Sequence, residues 1–159
     1  MNEATRQTIL SILDQHRIMT ISTLRPDGWP EATTVGYAND GLTLYFLCGP
    51  DSQKAENLAR DDRVSLTVDH DTPQVMEITG LSMAANARVV TDPVEVQKVM
   101  SMLMSKYPQQ QSIPLPMPSL GDIRLFRVTP KVITAFLFVW LGFSILRNLP
   151  WAPFTWFYV

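Results

Sequence analysis

The pattern of apolar and polar positions predicts a short helix at the start of the chain and extended segments after it. Residues 3–16 carry an apolar stripe with i, i+3, i+4 and i+7 spacing, formed by Ile9, Ile12, Leu13 and His16. Ile18–Leu24 is rich in Ile and Thr, which favour β-strands. Residues 25–28 then place proline and glycine where a β-turn requires them.

The next two extended segments predict a hairpin. Pro30–Ala38 ends at an Asn-Asp-Gly sequence at residues 39–41, which is typical of a hairpin turn. We expect Leu42–Cys48 to return antiparallel to it. Three strands joined by tight turns predict a meander and not a βαβ unit.

Two later helices have recognisable start signals. Asp51 or Ser52 can cap a helix over residues 53–59, and Asp92 can cap a second helix in which Pro93 takes the first helical position. We expect the apolar stripe of the second helix to pack in the core; it consists of Val96, Val99, Met100 and Leu103.

The remaining segments add strands and define the fold class. Arg63–Asp69 and Gln74–Val90 are expected to be strands, the second with a bulge at Gly80. Ile123–Val128 and Lys131–Val139 are expected to form the last strand pair. Six or more antiparallel strands with short flanking helices predict a mainly β (α+β) fold, closed or partly closed into a barrel that removes exposed edges.

The end of the chain differs from the rest in charge and aromatic content. All 15 acidic residues precede Ile123, nine of the 15 aromatic residues follow Lys131, and Arg147 is the only charged residue after Lys131. The uncharged stretch over 132–146 is shorter than the roughly 20 residues that a spanning helix needs. A buried strand that continues into a dimer interface, a membrane-associated tail and an atypical terminus all fit this pattern, and we favour the first.

Overall composition favours a single globular domain. The chain has 159 residues, 46% of them hydrophobic, and a formal net charge of −2, which argues against nucleic-acid binding. The single cysteine, Cys48, cannot form an internal disulfide, and no signal peptide is recognisable at the start. We therefore expect a cytoplasmic protein.

Few residues suggest a catalytic or metal site by their spacing alone. The sequence Asp69-His70-Asp71 resembles a metal cluster, but three adjacent residues in a turn are more often solvated, so we predict no metal. Ser52 and Lys54 lie at a predicted helix start, where free amides, the helix dipole, a hydroxyl and a cation suit a phosphate group. An ordinary helix cap and a solvated lysine would give the same pattern.

Several segments, in this order, resemble the pyridoxamine 5′-phosphate oxidase-like FMN-binding split-barrel superfamily. The segments that carry the resemblance are residues 20–24, 27–30, 44–46, 52–58, 63–66 and 126–133. They cover roughly residues 5–134. The resemblance therefore implies a split β-barrel domain over 1–134, followed by an apolar aromatic tail over 135–159 that we expect to pack on the dimer.

The resemblance implies a homodimer with FMN at the interface. The strand that follows the first hairpin turn would lie along the flavin ring, and Leu47-Cys48 would lie beside it. Ser52, Gln53 and Lys54 would hold the phosphate, although a basic residue is common in the family where this chain has Gln53, and Gln74 would reach the flavin from the other subunit. The residues of the flavin-binding strand are Ala32, Thr33, Thr34, Val35, Gly36 and Tyr37.

The function that follows is an FMN-binding oxidoreductase acting on an unidentified small substrate. The true pyridoxamine phosphate oxidases end in a basic segment with histidine, whereas residues 140–147 here offer only Arg147 and no histidine, so vitamin B6 oxidation is not expected. The alternatives are a flavin carrier or sensor without efficient turnover, and a relative that uses the deazaflavin F420 or haem.

Overall fold

The computed structural model describes residues 1–69, 72–74, 78–108, 121–137 and 154–158. These residues form three helices and eight strands, and every strand pairing among them is antiparallel. The predicted mainly β fold is therefore confirmed. The elements, in chain order, are α1 (Glu3–Gln15), β1 (Ile18–Leu24), β2 (Pro30–Gly36), β3 (Ala38–Asp40), β4 (Thr43–Cys48), α2 (Gln53–Arg60), β5 (Arg63–Asp69), β6 (Thr79–Val89), α3 (Pro93–Lys106), β7 (Arg124–Leu137) and β8 (Phe154–Tyr158).

The order of the strands shows that the sheet curls into a split barrel. The order is β2-β1-β5-β6-β7-β4-β3, and β8 pairs with β7 outside this path. The strands β2 and β3 occupy opposite ends of the order, yet only Tyr37 separates them in the chain. Because one residue spans less than about 4 Å, the two ends of the sheet must come together there.

The predicted three-stranded meander is wrong, because its middle segment is two strands that pair with different neighbours. The segment Pro30–Ala38 does not form one strand, because it divides at Tyr37 into β2, which pairs with β1, and β3, which pairs with β4. The turn at residues 39–41 does form, with Gly41 at a φ of 59°. The strand β4 then pairs with β7 on its other side.

The last predicted strand pair and the predicted bulge also need correction. Residues 124–137 form one continuous strand, β7, that pairs with β6 from Phe126 to Leu137. The irregularity lies between Ala84 and Ala85, which face Val132 and Pro130, so that Lys131 is the extra residue. Gly80 keeps regular pairing, because the proline in β7 interrupts the ladder instead.

The helix start signals are confirmed. Asn2 caps α1, Ser52 caps α2, and Asp92 caps α3 with Pro93 in its first turn. On α3, Val99 is fully buried, and it packs in a small cluster outside the barrel. That cluster also contains Tyr45, Val90 and Leu125, with Val96, Leu103 and Leu47 packed against it.

The main core fills the barrel and is closed at one end by α1. Ile9 and Leu13 of α1 are fully buried in the same cluster as Ile21, Leu66 and Leu81. Phe46 and Phe126, from neighbouring strands, stack with ring centroids 5.2 Å apart. The barrel interior is therefore occupied by side chains.

Part of the aromatic tail joins the sheet. Residues 154–158 pair as β8 with Val132–Phe136 of β7. The rest of the tail, residues 138–153 and 159, lies outside the described residues, as do His70 and Asp71. In the described part of the chain, no helix has the length and hydropathy needed to cross a membrane.

Candidate functional site

The predicted flavin-binding strand, β2, lies at an end of the strand order and pairs with β1 on one side. Its side chains alternate in exposure: Ala32, Thr34 and Gly36 are exposed, whereas Thr33 and Val35 are half-buried. The alternation turns Ala32, Thr34 and Gly36 outward and turns Thr33 and Val35 toward the barrel.

Thr33 carries a buried hydroxyl without a hydrogen-bond partner. Its Oγ1 is the only buried side-chain polar atom among the described residues that lacks one. A buried hydroxyl without a partner typically costs about 1–3 kcal/mol, which is why such atoms are rare in folded proteins. The residue therefore fits a position where a bound polar group completes the site.

The helix α2 is held against the β1–β2 hairpin by a buried amide. The Asn57 Nδ2 atom donates to Thr23 Oγ1 at 3.0 Å and to Glu31 Oε2 at 3.3 Å, and Asn57 is fully buried. Arg60 also donates to the Leu24 carbonyl at 2.6 Å. Glu31 lies two residues before Thr33, so these bonds bring α2 to the strand that carries the unpaired hydroxyl.

Asn57 was missed by sequence reasoning as a residue that shapes the site. The sequence feature that could have identified it is its position on α2 between Ala55 and Leu58, which both face the core. A polar residue at a buried helical position requires hydrogen-bond partners. Only the fold shows that Thr23 and Glu31 supply them.

The start of α2 has the polar groups that were predicted, but the hydroxyl of Ser52 already forms hydrogen bonds within the chain. The Ser52 hydroxyl donates to the Gly49 carbonyl at 2.8 Å and accepts from the Ala55 amide at 3.3 Å, so it serves as the helix cap. The Gln53 side chain donates to Asn57 Oδ1 at 3.1 Å.

Half-buried Lys54 has no ion-pair partner among the described residues. The amides of Gln53 and Lys54 begin the helix and so have no intrahelical acceptor.

The structure separates the two predicted residues of β4. Cys48 packs against the main core, whereas Leu47 packs against the cluster under α3. The two side chains therefore lie on opposite faces of the strand, as expected of neighbours in β-structure. Only one of them can face a given ligand.

The side chain of Tyr37, the last residue of the predicted flavin-binding strand, lies in the core. It is fully buried, and its hydroxyl donates to the Leu13 carbonyl at 2.8 Å. The Lys106 Nζ atom lies 4.0 Å from its ring centre, and burial raises the pKa of the Tyr37 phenol well above its ordinary value. The predicted place of Tyr37 in the cofactor-binding strand stays a prediction, and its buried side chain adds no group to an exposed surface.

A second tyrosine holds the corner between β2 and β3. The Tyr107 hydroxyl accepts from the Tyr37 amide at 2.9 Å, and the Tyr37 and Arg17 carbonyls are its acceptors. A β-carbon on Gly36 would lie 2.9 Å from this hydroxyl oxygen. Gly36 is thus explained by the close approach of Tyr107.

The predicted residue Gln74 lies between β5 and β6. It is exposed, and its backbone amide donates to Thr72 Oγ1 at 3.3 Å. Its predicted contact with a flavin of the other subunit remains a prediction.

The described residues contain no group of three or more metal-ligating side chains. His16 Nδ1 donates to the Ile12 carbonyl at 2.7 Å at the end of α1. Of the Asp69-His70-Asp71 sequence, for which no metal is predicted, only Asp69 lies within the described residues.

Comparison with known proteins shows similarity to a stress protein and to solved split-barrel structures. The chain is 24% identical to general stress protein 26 of Bacillus subtilis over 98 residues, which cover 59% of this chain and 69% of that protein. It is 25% identical to a conserved hypothetical protein of Mycobacterium tuberculosis, with a TM-score of 0.71 and coverage of 87% and 86% of the two chains.

The haem storage protein HutZ of Vibrio cholerae has the same fold. It is 19% identical, with a TM-score of 0.63 and coverage of 78% of this chain and 88% of that chain. Residues 5–136, well over half of the sequence, match the pyridoxamine 5′-phosphate oxidase family, and the chain therefore belongs to this family.

Proposed function

We propose that this protein binds FMN along the outer edge of β2, with the phosphate at the start of α2, and that it acts as a homodimeric oxidoreductase on a small substrate. A cytoplasmic location is part of this proposal and rests on the single Cys48. Bound flavin would supply hydride chemistry, so the chain needs to contribute position and electrostatics and no general base of its own.

The observation that carries the proposal is the unpaired hydroxyl of Thr33. It is buried without a partner on the strand that sequence resemblance assigns to the flavin. A flavin ring edge has carbonyl oxygens and ring nitrogens that can pair with a hydroxyl. Thr33 would therefore orient the ring.

The start of α2 has the chemistry that a phosphate needs. Lys54 supplies a cation without an ion-pair partner in the described structure, and two amides at the helix start can donate to phosphate oxygens. Ser52 would help by fixing the helix start, since its hydroxyl is engaged with Gly49 and Ala55. Gln53 is uncharged, so its contact with the phosphate would be neutral. Where the family commonly has a basic residue this chain has none, and the loss of that cation should weaken FMN retention.

The outer face of the sheet supports the homodimer. Two rows of small or hydroxyl side chains run in register across β2, β1, β5 and β6 and form a flat face without a charged residue; Arg63 and Asp69, on the same side of β5, lie beyond its ends. The rows are Ala32, Ser22, Ser65 and Ala84, and then Thr34, Thr20, Thr67 and Ser82. Such a face can pack closely on a second copy without burying a charge.

The proposal is tested by the Lys54→Ala variant. Loss of one charge-assisted contact to phosphate should weaken FMN binding by about tenfold to hundredfold, whereas riboflavin, which lacks the phosphate, should bind as before. Fluorescence titration measures both ligands, and Lys98→Ala, which removes an exposed lysine of α3, is the matched control. No FMN binding by the unmodified protein would refute the proposal, and an unchanged titration would remove Lys54 from the site.

The dimer is tested separately by Ser65→Arg, which places a charge in the centre of the flat face. Sedimentation equilibrium should show a shift from dimer to monomer. The control is Ser11→Arg, at an exposed position on α1. If the unmodified protein is a monomer, or if Ser65→Arg stays dimeric, this face is not the interface.

Haem binding is the second candidate function, because the fold is shared with a haem storage protein. Free amides and a cation at the start of α2 favour a phosphorylated flavin over haem, for which a histidine ligand is expected. The absorption spectrum of the ligand that co-purifies separates the two. Flavin bands near 370 and 450 nm would support FMN, and a Soret band would support haem.

A further inference from the structure

A groove lies between α3 and the sheet, and its lining contains no residue of β2 or of the two rows proposed for the dimer face. Its volume is about 680 Å³, which is within the range typical of small-molecule sites. Val96 and Met100 of α3 form one wall, and Val89 and Ile123 belong to the other. Val89 is 42% exposed, so a large apolar side chain faces the groove uncovered.

The groove has few polar groups, and those it has can act as donors. Arg124, Thr91 and Gln97 contribute a guanidinium, a hydroxyl and an amide to its lining. Arg124 is the only charged residue in that lining, and its side chain has no acidic partner among the described residues. Within the lining itself, the one charged side chain is therefore a cation, and most of the other residues are apolar.

Arg124 is held in place by the sheet. It pairs with Cys48 of β4 at the start of β7, and next to it the Val90 amide donates to the Leu125 carbonyl at 2.9 Å. The backbone on both sides of Arg124 is thus fixed, so its exposed side chain starts from a defined position at the groove. A ligand with one anionic group and an apolar body matches both the charge and the lining.

We propose that this groove is a second binding site, for an amphipathic organic anion such as a carboxylate or sulfonate attached to an apolar body. This site does not depend on FMN binding, because its lining shares no residue with β2 or α2. Arg124 would contact the anionic group, and the valine and methionine side chains would cover the apolar part.

The test uses two dyes of nearly the same shape. 1-Anilinonaphthalene-8-sulfonate carries one negative charge, and N-phenyl-1-naphthylamine is its uncharged counterpart. Both should bind the folded full-length protein. Arg124→Gln should weaken binding of the sulfonate dye by about tenfold and leave the neutral dye unchanged, because only the charged contact is lost.

The matched control is Arg6→Gln, which removes the same charge from α1 outside the groove. It should change neither titration. Addition of decanoate should displace the sulfonate dye from the unmodified protein and from Arg6→Gln. If Arg124→Gln binds the sulfonate dye as tightly as Arg6→Gln does, or loses both dyes equally while still folded by circular dichroism, the proposal is wrong.

Discussion

The middle of β2 and the corner that follows it differ in how completely their polar groups are paired. At the Tyr37 end, the amide, the carbonyl and the phenol of Tyr37 are all hydrogen-bonded, and Lys106 lies over the ring. At Thr33, only four residues earlier, a buried hydroxyl has no partner. The comparison indicates that the corner stabilises the fold, whereas the middle of the strand keeps an unpaired hydroxyl that the proposed ligand would satisfy.

Tyr37→Ala should have the largest effect on stability. The substitution leaves a cavity in the core and removes the bond to the Leu13 carbonyl, so we expect a loss of about 3–5 kcal/mol in the free energy of unfolding. Urea denaturation measures it. The control is Trp29→Ala, since Trp29 is 70% exposed and its loss should change stability by less than about 0.5 kcal/mol. Similar values for both variants would contradict the assignment of Tyr37 to the core.

Gly36→Ala should test the close contact with Tyr107. The new β-carbon would lie 2.9 Å from the Tyr107 hydroxyl oxygen, so the ring must shift, and we expect a loss of about 1–2 kcal/mol. In a Tyr107→Ala background the same change should be neutral or slightly stabilising, because alanine restricts the unfolded chain more than glycine does. Additive effects in the double variant would show that the contact does not exist.

Lys106 should make the free energy of unfolding depend on pH. Burial lowers the pKa of Lys106 to about 8 in the folded protein, against about 10.5 when unfolded. The unfolded chain therefore binds more protons between pH 8 and 10.5, and the free energy of unfolding should rise with pH in that window. Because Lys106 is only half-buried, solvent screening limits the rise to about 1 kcal/mol.

Urea denaturation at pH 7.5 and 9.5 measures this rise before the tyrosines titrate. The Lys106→Met variant keeps an apolar side chain of similar length and should lack the rise. An equal pH dependence in both proteins would show that Lys106 is not responsible.

Thr33→Val should have the smallest effect on stability and the opposite sign. Valine has the same shape and removes the unpaired hydroxyl, so the free protein should gain up to about 1 kcal/mol. FMN binding should weaken at the same time, as measured by fluorescence titration. Thr34→Val, on the exposed face, is the control for a general effect of valine in β2. A loss of stability in Thr33→Val would show that the hydroxyl is paired in solution.

Sequence reasoning predicted most of the local structure and part of the site. Helix caps at Ser52 and Asp92 and the strand boundaries of β1 and β5 depend on neighbouring residues only, and all four are confirmed. The meander and the bulge at Gly80 were wrong because pairing partners are distant in the chain: β4 pairs with β7, and the irregularity comes from the Lys131 region.

By itself, the sequence determined where the helices and most of the strands form, that the chain is mainly β, and which family it resembles. Apolar periodicity, turn residues and caps act within a few residues, so they can be read from the chain. Only the tertiary structure decided that Tyr37 is buried, that Gly36 accommodates a tyrosine 71 residues later, and that the Thr33 hydroxyl has no partner. Burial and hydrogen-bond pairing depend on contacts between segments that no local pattern encodes.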